Sequence, residues 1–338
     1  MSASSPRLRS PWRLVAVLAA GASVLAAVIA LAFTWTSVNA EPRNIPVGIV
    51  ATDSQYKSAS SQVGTDAITL HRVTDRASAL EQIEQRDLYG AIILEGDPEV
   101  VIASAASPVI GQALTDLAPT LEGVHPGDAP VAITDIAPWQ AGDPAGAGFA
   151  AAGFPVVLTG FLGGVFISFL IHGRTRRLTT ALAYSAVVAV LLTVVFQPIL
   201  GILHGNPLLN AVTIALTALS GTGIIAGLNT LLGRLGLPLG VFFLLLLANP
   251  LSGFAMPAAF YPAPWGEIGQ WLAPGAAATL LKAHSYFPHQ DIHTAWITLA
   301  AWAAIGVLLL LSRHGHALVR PAPVVAPVDP AASAGSVR

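Results

Sequence analysis

The sequence predicts an α-helical integral membrane protein of six transmembrane helices, with an extracytoplasmic α/β domain between helices 1 and 2. Three observations carry this. The 338 residues are 54% hydrophobic and only 10% charged, with a mean hydropathy of +0.67, whereas a soluble domain carries about 25% charged residues. Residues 36–148 hold 15 of the 18 acidic and 5 of the 16 basic residues, a formal charge of −10. Six apolar runs lie outside that stretch, and none contains Asp, Glu, Lys or Arg. This composition excludes a conventional soluble enzyme and a disordered chain.

The runs are Leu14–Trp35, Phe149–Ile171, Leu178–Leu203, Leu208–Leu232, Leu237–Met256 and Ala295–Ser312, each near the roughly 20 residues that a bilayer core requires. The first can be read as a secretory signal, because Arg7, Arg9 and Arg13 precede it and Val38-Asn39-Ala40 follows. A signal core usually has about 7–15 apolar residues. This run has 22, so a retained anchor is favoured.

Basic residues set the orientation. Arg7, Arg9 and Arg13 precede the first run, and Arg174, Arg176 and Arg177 separate the second and third. Arg234 follows the fourth, and Arg313 and Arg320 follow the sixth. Single crossings bring all of them to one side, which is then the cytoplasm. Both termini (1–13 and 313–338) fall inside a plasma membrane. The 36–148 domain and the 257–294 segment fall outside.

Within the outer domain, Ile45–Ala51 is a β-branched apolar run and Ala67–Val73 alternates as a half-buried strand does. Asp75 or Ser78 can cap a helix, with Glu81 three residues after Ser78 in a capping-box position. Ala77, Leu80 and Ile83 keep helical spacing. Leu88–Glu95 is a buried-strand pattern, Val109–Leu121 a second helix and Val131–Ile136 a returning strand. Strand–helix–strand order implies a partly parallel sheet covered by helices.

Recognisable catalytic chemistry is missing from the sequence. It has no GxxxxGK[ST] loop for ATP, no GxSxG elbow and no HExxH motif. Without cysteine it has no disulfide, thiolate metal site or cysteine nucleophile. His289-Gln290-Asp291-Ile292-His293 can offer a metal two or three ligands, short of a closed site; a polar juxtamembrane turn is the plainer reading. No cofactor, metal or nucleic-acid partner is expected. The runs hold hydroxyls, Gln197 and Asn229 but none of the acidic or histidine relays of ion-driven carriers. Any transport must draw its energy from outside the chain.

What remains is packing and bending. Gly160, Gly163 and Gly164 in the second run, and Gly223 with Gly227 in the fourth, suit close helix approach. Pro198 and Pro250 disturb their helices, and Asn249-Pro250 is the candidate functional break. The 257–294 segment is rich in aromatic residues, among them Trp265, Trp271 and Tyr286, which favour the membrane interface. Two short helices dipping into the outer leaflet, or an interfacial loop covering the bundle, both fit it.

The layout resembles the permease subunits of ABC type-2 exporters, in the branch related to phage-infection-protein-like membrane proteins. The resemblance is carried by IPVGIVATD (45–53), ALEQIEQRDLYGAIILEGD (79–97), ASPVIGQAL (106–114) and NPLSGFAMPAAFYPAPWGEIGQWLAPG (249–275). It implies a non-enzymatic permease, a homo- or heterodimer in the lipid bilayer, bound to a separate cytoplasmic ATP-binding subunit. It implies outward movement of a hydrophobic or amphipathic substrate, with Arg174, Arg176 and Arg177 where relatives contact the ATPase. Lipid-headgroup contact also accounts for those arginines. The outer domain is shorter than in relatives bearing a long coiled coil, so no phage-receptor role is carried over. A non-transport envelope protein whose outer domain binds a ligand or partner is the alternative.

Overall fold

The computed structural model describes residues 11–63, 67–121 and 130–312. Arg7, Arg9, Arg313 and Arg320 lie outside the described residues. The chain is a multi-span helical membrane protein with a mixed α/β domain inserted after its first long helix.

That helix, α1 (Trp12–Val38), leads into β1 (Ile45–Val50), α2 (Asp53–Val63), β2 (Ile68–Arg72) and α3 (Arg76–Glu84). Then come β3 (Gly90–Ile93), β4 (Glu99–Ile102), α4 (Pro108–Leu121) and β5 (Ala132–Asp135). The sheet order is β2-β1-β3-β4-β5. β1 pairs parallel with β2 and β3, β3 antiparallel with β4, and β4 parallel with β5. The pattern follows burial. Every residue of β3 is buried, as is all of β1 except Pro46, so both read as continuous apolar runs. Edge strand β2 alternates.

Two elements carry no sequence signal. In α2, DSQYKSASSQV, the described side chains that reach the core are Ala59 and part of Tyr56. β4 is four residues long and follows the Gly96 turn at φ +81.

Asp75 is the cap of α3, accepting from the Ser78 amide at 2.8 Å, and Glu81 bonds Gln85 instead of closing a capping box. Asp75→Ala should cost about 1 kcal/mol. It should appear as roughly fivefold faster hydrogen exchange across residues 76–84.

The bundle follows: α5 (Ala147–Leu170), α6 (Arg174–Ile199), α7 (Pro207–Leu232) and, at the end of the described chain, α11 (His293–Leu311). Asn206 caps α7 by accepting from the Leu208 amide at 2.9 Å, with Pro207 in the first turn, where its missing N–H costs nothing. α7 is the most buried of the spans. Its contacts give the directions: Gly160 and Gly164 of α5 meet Gly221 and Ile225, and Gly306 and Leu309 of α11 meet Gly223 and Gly227. So α5, α7 and α11 run parallel. α6 runs against them, with Arg177 bonded to Thr230 near the far end of α7. α1 stands at the side, exposed along most of its length.

The fifth apolar run departs from a continuous 20-residue helix. Among the described residues five helices are long and apolar enough to span, and this run is not one of them. It forms α8 (Gly236–Ala248), whose last seven residues, Phe242–Ala248, are π-helical. At about 1.5 Å per residue this reaches only some 20 Å, short of a core about 30 Å thick. The widened turn passes the Asn249 amide to the Leu244 carbonyl at 3.1 Å, and the helix stops there, before Pro250. Residues 249–256 continue as irregular backbone, with Leu251 against Gly269 and Phe254 against Gly153. Irregular backbone is tolerated at membrane depth when protein covers it, and Leu251, Ser252 and Phe254 are all buried.

Candidate functional site

The sequence-selected residues occupy three separate places. At the end of the bundle away from the α/β domain, Arg174 and Arg176 are exposed in the first turn of α6. Arg177 is buried; its Nε donates to the Ile171 carbonyl at 2.8 Å and its Nη1 to Thr230 Oγ1. It ties α5, α6 and α7 together and presents no free face. In the middle, Gly160, Gly164, Gly223 and Gly227 set the approach of α5 and α11 to α7.

At the other end, Pro250 and Trp265 line an apolar groove of about 230 Å³ beside Trp35 and Thr36 of α1. Asn249 is buried one residue earlier. Trp265 meets Trp35 edge-on with centroids 6.3 Å apart, and Trp271 is 63% exposed. Tyr286 turns inward, its hydroxyl donating to the Ile202 carbonyl at 3.2 Å.

Between the α/β domain and the bundle lies a constellation assembled by the 257–294 segment. Its helices are α9 (Trp265–Gln270) and α10 (Ala273–Tyr286). Nearly every residue of α10 from Ala273 to Ala283 is buried, including Lys282, which is 6% exposed. α10 is firmly held. Trp302 Nε1 donates to the Trp271 carbonyl at 2.8 Å, and Ser285 Oγ accepts from the His204 amide at 3.1 Å. Gly205, at φ +74, lets the 201–206 loop touch the His284 carbonyl where a Cβ would collide.

Four aromatic rings surround Lys282's end of α10. Trp139 lies 4.9 Å from Tyr286 and 6.0 Å from Phe149, and Phe149 lies 5.7 Å from Phe254. Lys282 Nζ sits 5.5 Å from the Trp139 ring and 5.1 Å from that of Phe149. Among the described residues it has no hydrogen bond or ion pair. Asp143, nearby in the linker, is spent on capping α5 through the Gly148 and Phe149 amides at 2.9 and 3.0 Å.

The α/β domain supplies the opposite wall. Arg86, itself at φ +64, lies over Phe287 at 5.2 Å, and its buried Nε has no partner among the described residues. His289 Nδ1 is 2.8 Å from Glu84, tying the segment to α3. His293 bonds Asp291 instead, so the two histidines of 289–293 face different partners. Among the described residues no three His, Cys, Asp or Glu side chains cluster as metal ligands.

Arg86 and Lys282 line one cavity of about 320 Å³ with Gln270, Gln290, Ser252 and Thr279. Burial, with Arg86 close by, lowers the Lys282 ammonium to about 7. Burial likewise lowers His204 and His284. The sequence carries one trace of this place: Lys282 is the one Lys or Arg between Arg234 and Arg313. No family model, curated protein or solved structure matches the chain.

Proposed function

We propose that the chain is the transmembrane permease subunit of an ATP-driven ABC exporter. It moves a hydrophobic or amphipathic substrate outward on energy from a separate cytoplasmic ATPase subunit, and performs no catalysis itself. It sits in the plasma membrane as a permease dimer, termini inside and α/β domain outside.

The observation that supports this best is the division of labour along α7. At one end it is tied by Arg177 to the helix turn bearing free Arg174 and Arg176. At the other, α10 and the α/β domain close over the Lys282 cavity. The spanning helices between them carry no buried acidic or histidine relay among the described residues. A two-state bundle biased from outside the chain fits this arrangement. The broken end of α8 beside the cavity supplies backbone that can shift without unwinding a full span.

A non-transport envelope protein with an independent binding domain is the alternative. It is less favoured because one apolar cluster runs from Ile83, Leu88 and Ala91 of the domain into Phe149, Leu281 and Phe287 of the bundle. The domain is built as a lid on the bundle.

The experiment is affinity purification of the tagged chain from its native membrane in two mild detergents. A stoichiometric ATPase should co-elute. Arg174→Ala with Arg176→Ala should weaken that association and leave thermal stability within about 0.5 kcal/mol. Arg177→Ala should cost about 1.5–3 kcal/mol per lost charged hydrogen bond. A clean chain without an ATPase in both detergents overturns the exporter reading.

A further inference from the structure

Two basic side chains, Arg86 and Lys282, line the junction cavity, and among the described residues neither has an ion-pair partner. Asp291 stands at the exposed rim, but its carboxylate is already bonded to the His293 amide and ring at 2.9 and 2.8 Å. Asp143 caps α5. Glu84 holds His289 at the domain surface.

The rings beneath Lys282 do not settle its charge. A desolvated cation–π contact contributes about 2 kcal/mol, while withdrawing an ammonium from water costs several kcal/mol, and Arg86 adds repulsion. Around the two cations the cavity also holds unmet polar capacity. Among the described residues, the buried Nε of Arg86 and the buried amide oxygen of Gln290 have no partner. The oxygen and nitrogen of an amide exchange places by a flip, so Gln290 can offer its NH₂ instead. The volume, about 320 Å³, is at the small end of ligand pockets, about 300–1,000 Å³. It suits a headgroup and excludes a whole lipid.

We propose that this cavity is a binding site for a phosphate-type oxyanion, held between Arg86 of the α/β domain and Lys282 of α10. The ligand bridges the lid to the bundle, and its charge keeps Lys282 protonated. Two charge-assisted contacts from opposite walls make the site specific for the anion. Such an oxyanion arrives either free or as the headgroup of an amphipathic molecule. If the chain exports, this names the anionic end of its substrate. The site itself stands whether or not an ATPase is bound.

The test is equilibrium binding to the purified full chain in a neutral detergent, by isothermal titration. The probes are inorganic phosphate, dioctanoyl phosphatidic acid and, as the zwitterionic control, dioctanoyl phosphatidylcholine. One saturable anion site per chain is expected, with phosphatidylcholine at least tenfold weaker. Arg86→Gln and Lys282→Met should each weaken it about tenfold or more, the scale of one charged hydrogen bond. Lys282→Arg, which keeps the charge, should stay within about threefold of the wild type.

Saturation by inorganic phosphate as well as phosphatidic acid identifies a free oxyanion site. Saturation by phosphatidic acid alone identifies a lipid-type headgroup. Arg86→Gln alters a half-buried residue on the lid, so it keeps the test open if Lys282→Met does not fold. Absence of saturable binding by either anion overturns the proposal, as does binding that Arg86→Gln leaves unchanged. Neither result depends on an ATPase, so failure here is distinct from failure of the exporter reading.

Discussion

Gly223→Val should leave the chain inserted in the membrane but without a packed bundle. A Cβ at Gly223 would stand 2.5 Å from Cα of Gly306 on α11, and the atoms it meets are all backbone. No rotamer change relieves such a contact; α7 and α11 must separate. Overpacking in a core costs about 1–3 kcal/mol even where side chains can yield, so a backbone clash should exceed about 3 kcal/mol. Helix propensity works the other way but weakly, because β-branched Val is itself a poorer helix former than Ala and improves on Gly by only roughly 0.3 kcal/mol. The backbone clash outweighs that gain, so the substitution is destabilising.

Membrane insertion and helix association are separable stages. The variant should therefore remain in the membrane fraction yet elute as a broad, early peak in mild detergent, with new protease cuts between the helices. Gly21→Val is the control, because a Cβ there meets nothing within 4 Å. It should behave as wild type. Equal stability of Gly223→Val and Gly21→Val would remove the close α7–α11 approach from the account.

These glycines show what a sequence can and cannot disclose about such a bundle. Small residues at spacing four mark helix faces that can approach closely, but they do not name the partner. Gly164 meets a side chain, Ile225, whereas Gly160 meets another glycine, Gly221. The outer domain was legible where burial was two-sided, as in β1 and β3, or where a cap punctuated a helix, as at Asp75. It was not legible in α2, whose polar surface gives no apolar stripe.

The fifth run misled for a different reason. Hydropathy records whether a residue can lie in the membrane, and Leu237–Met256 can. It does not record that the helix relaxes into a π-helical turn and stops before Pro250. The junction cavity escaped because its parts are distant in sequence. Arg86 of the α/β domain meets Lys282 and Gln290 only in the folded chain, and an isolated lysine in apolar sequence looks the same whether it snorkels to water or lies beneath Trp139.

That lysine carries the second large expectation, a rise in the stability of the ligand-free chain with pH between about 7.5 and 9. The sign follows from linkage. Burial, with Arg86 beside it, puts the folded Lys282 at about 7, below its ordinary 10.5. Across the interval between those values the unfolded chain holds the proton and the folded chain has released it. Stability rises with pH wherever the unfolded state binds more protons, by at most about 1.4 kcal/mol per pH unit for one group.

Other perturbed groups outside the spanning helices act beyond this interval. His204 and His284 are lowered by burial from 6.5 and change charge below it. Tyr261 and Tyr286 are pushed up to about 12 by burial, so their stabilising neutral forms are lost to linkage only above about 10. Thermal unfolding should therefore shift upward by a few degrees from pH 7.5 to 9 in the wild type. In Lys282→Met, which replaces the charge by an apolar side chain of similar length, the slope should vanish and the midpoint at pH 7.5 should exceed that of wild type. Saturating the site with phosphatidic acid should reduce the slope too, because an anion holds the ammonium in its charged form. A wild-type midpoint flat across this interval, or a Lys282→Met slope equal to it, would show that Lys282 keeps its proton in the folded chain without help.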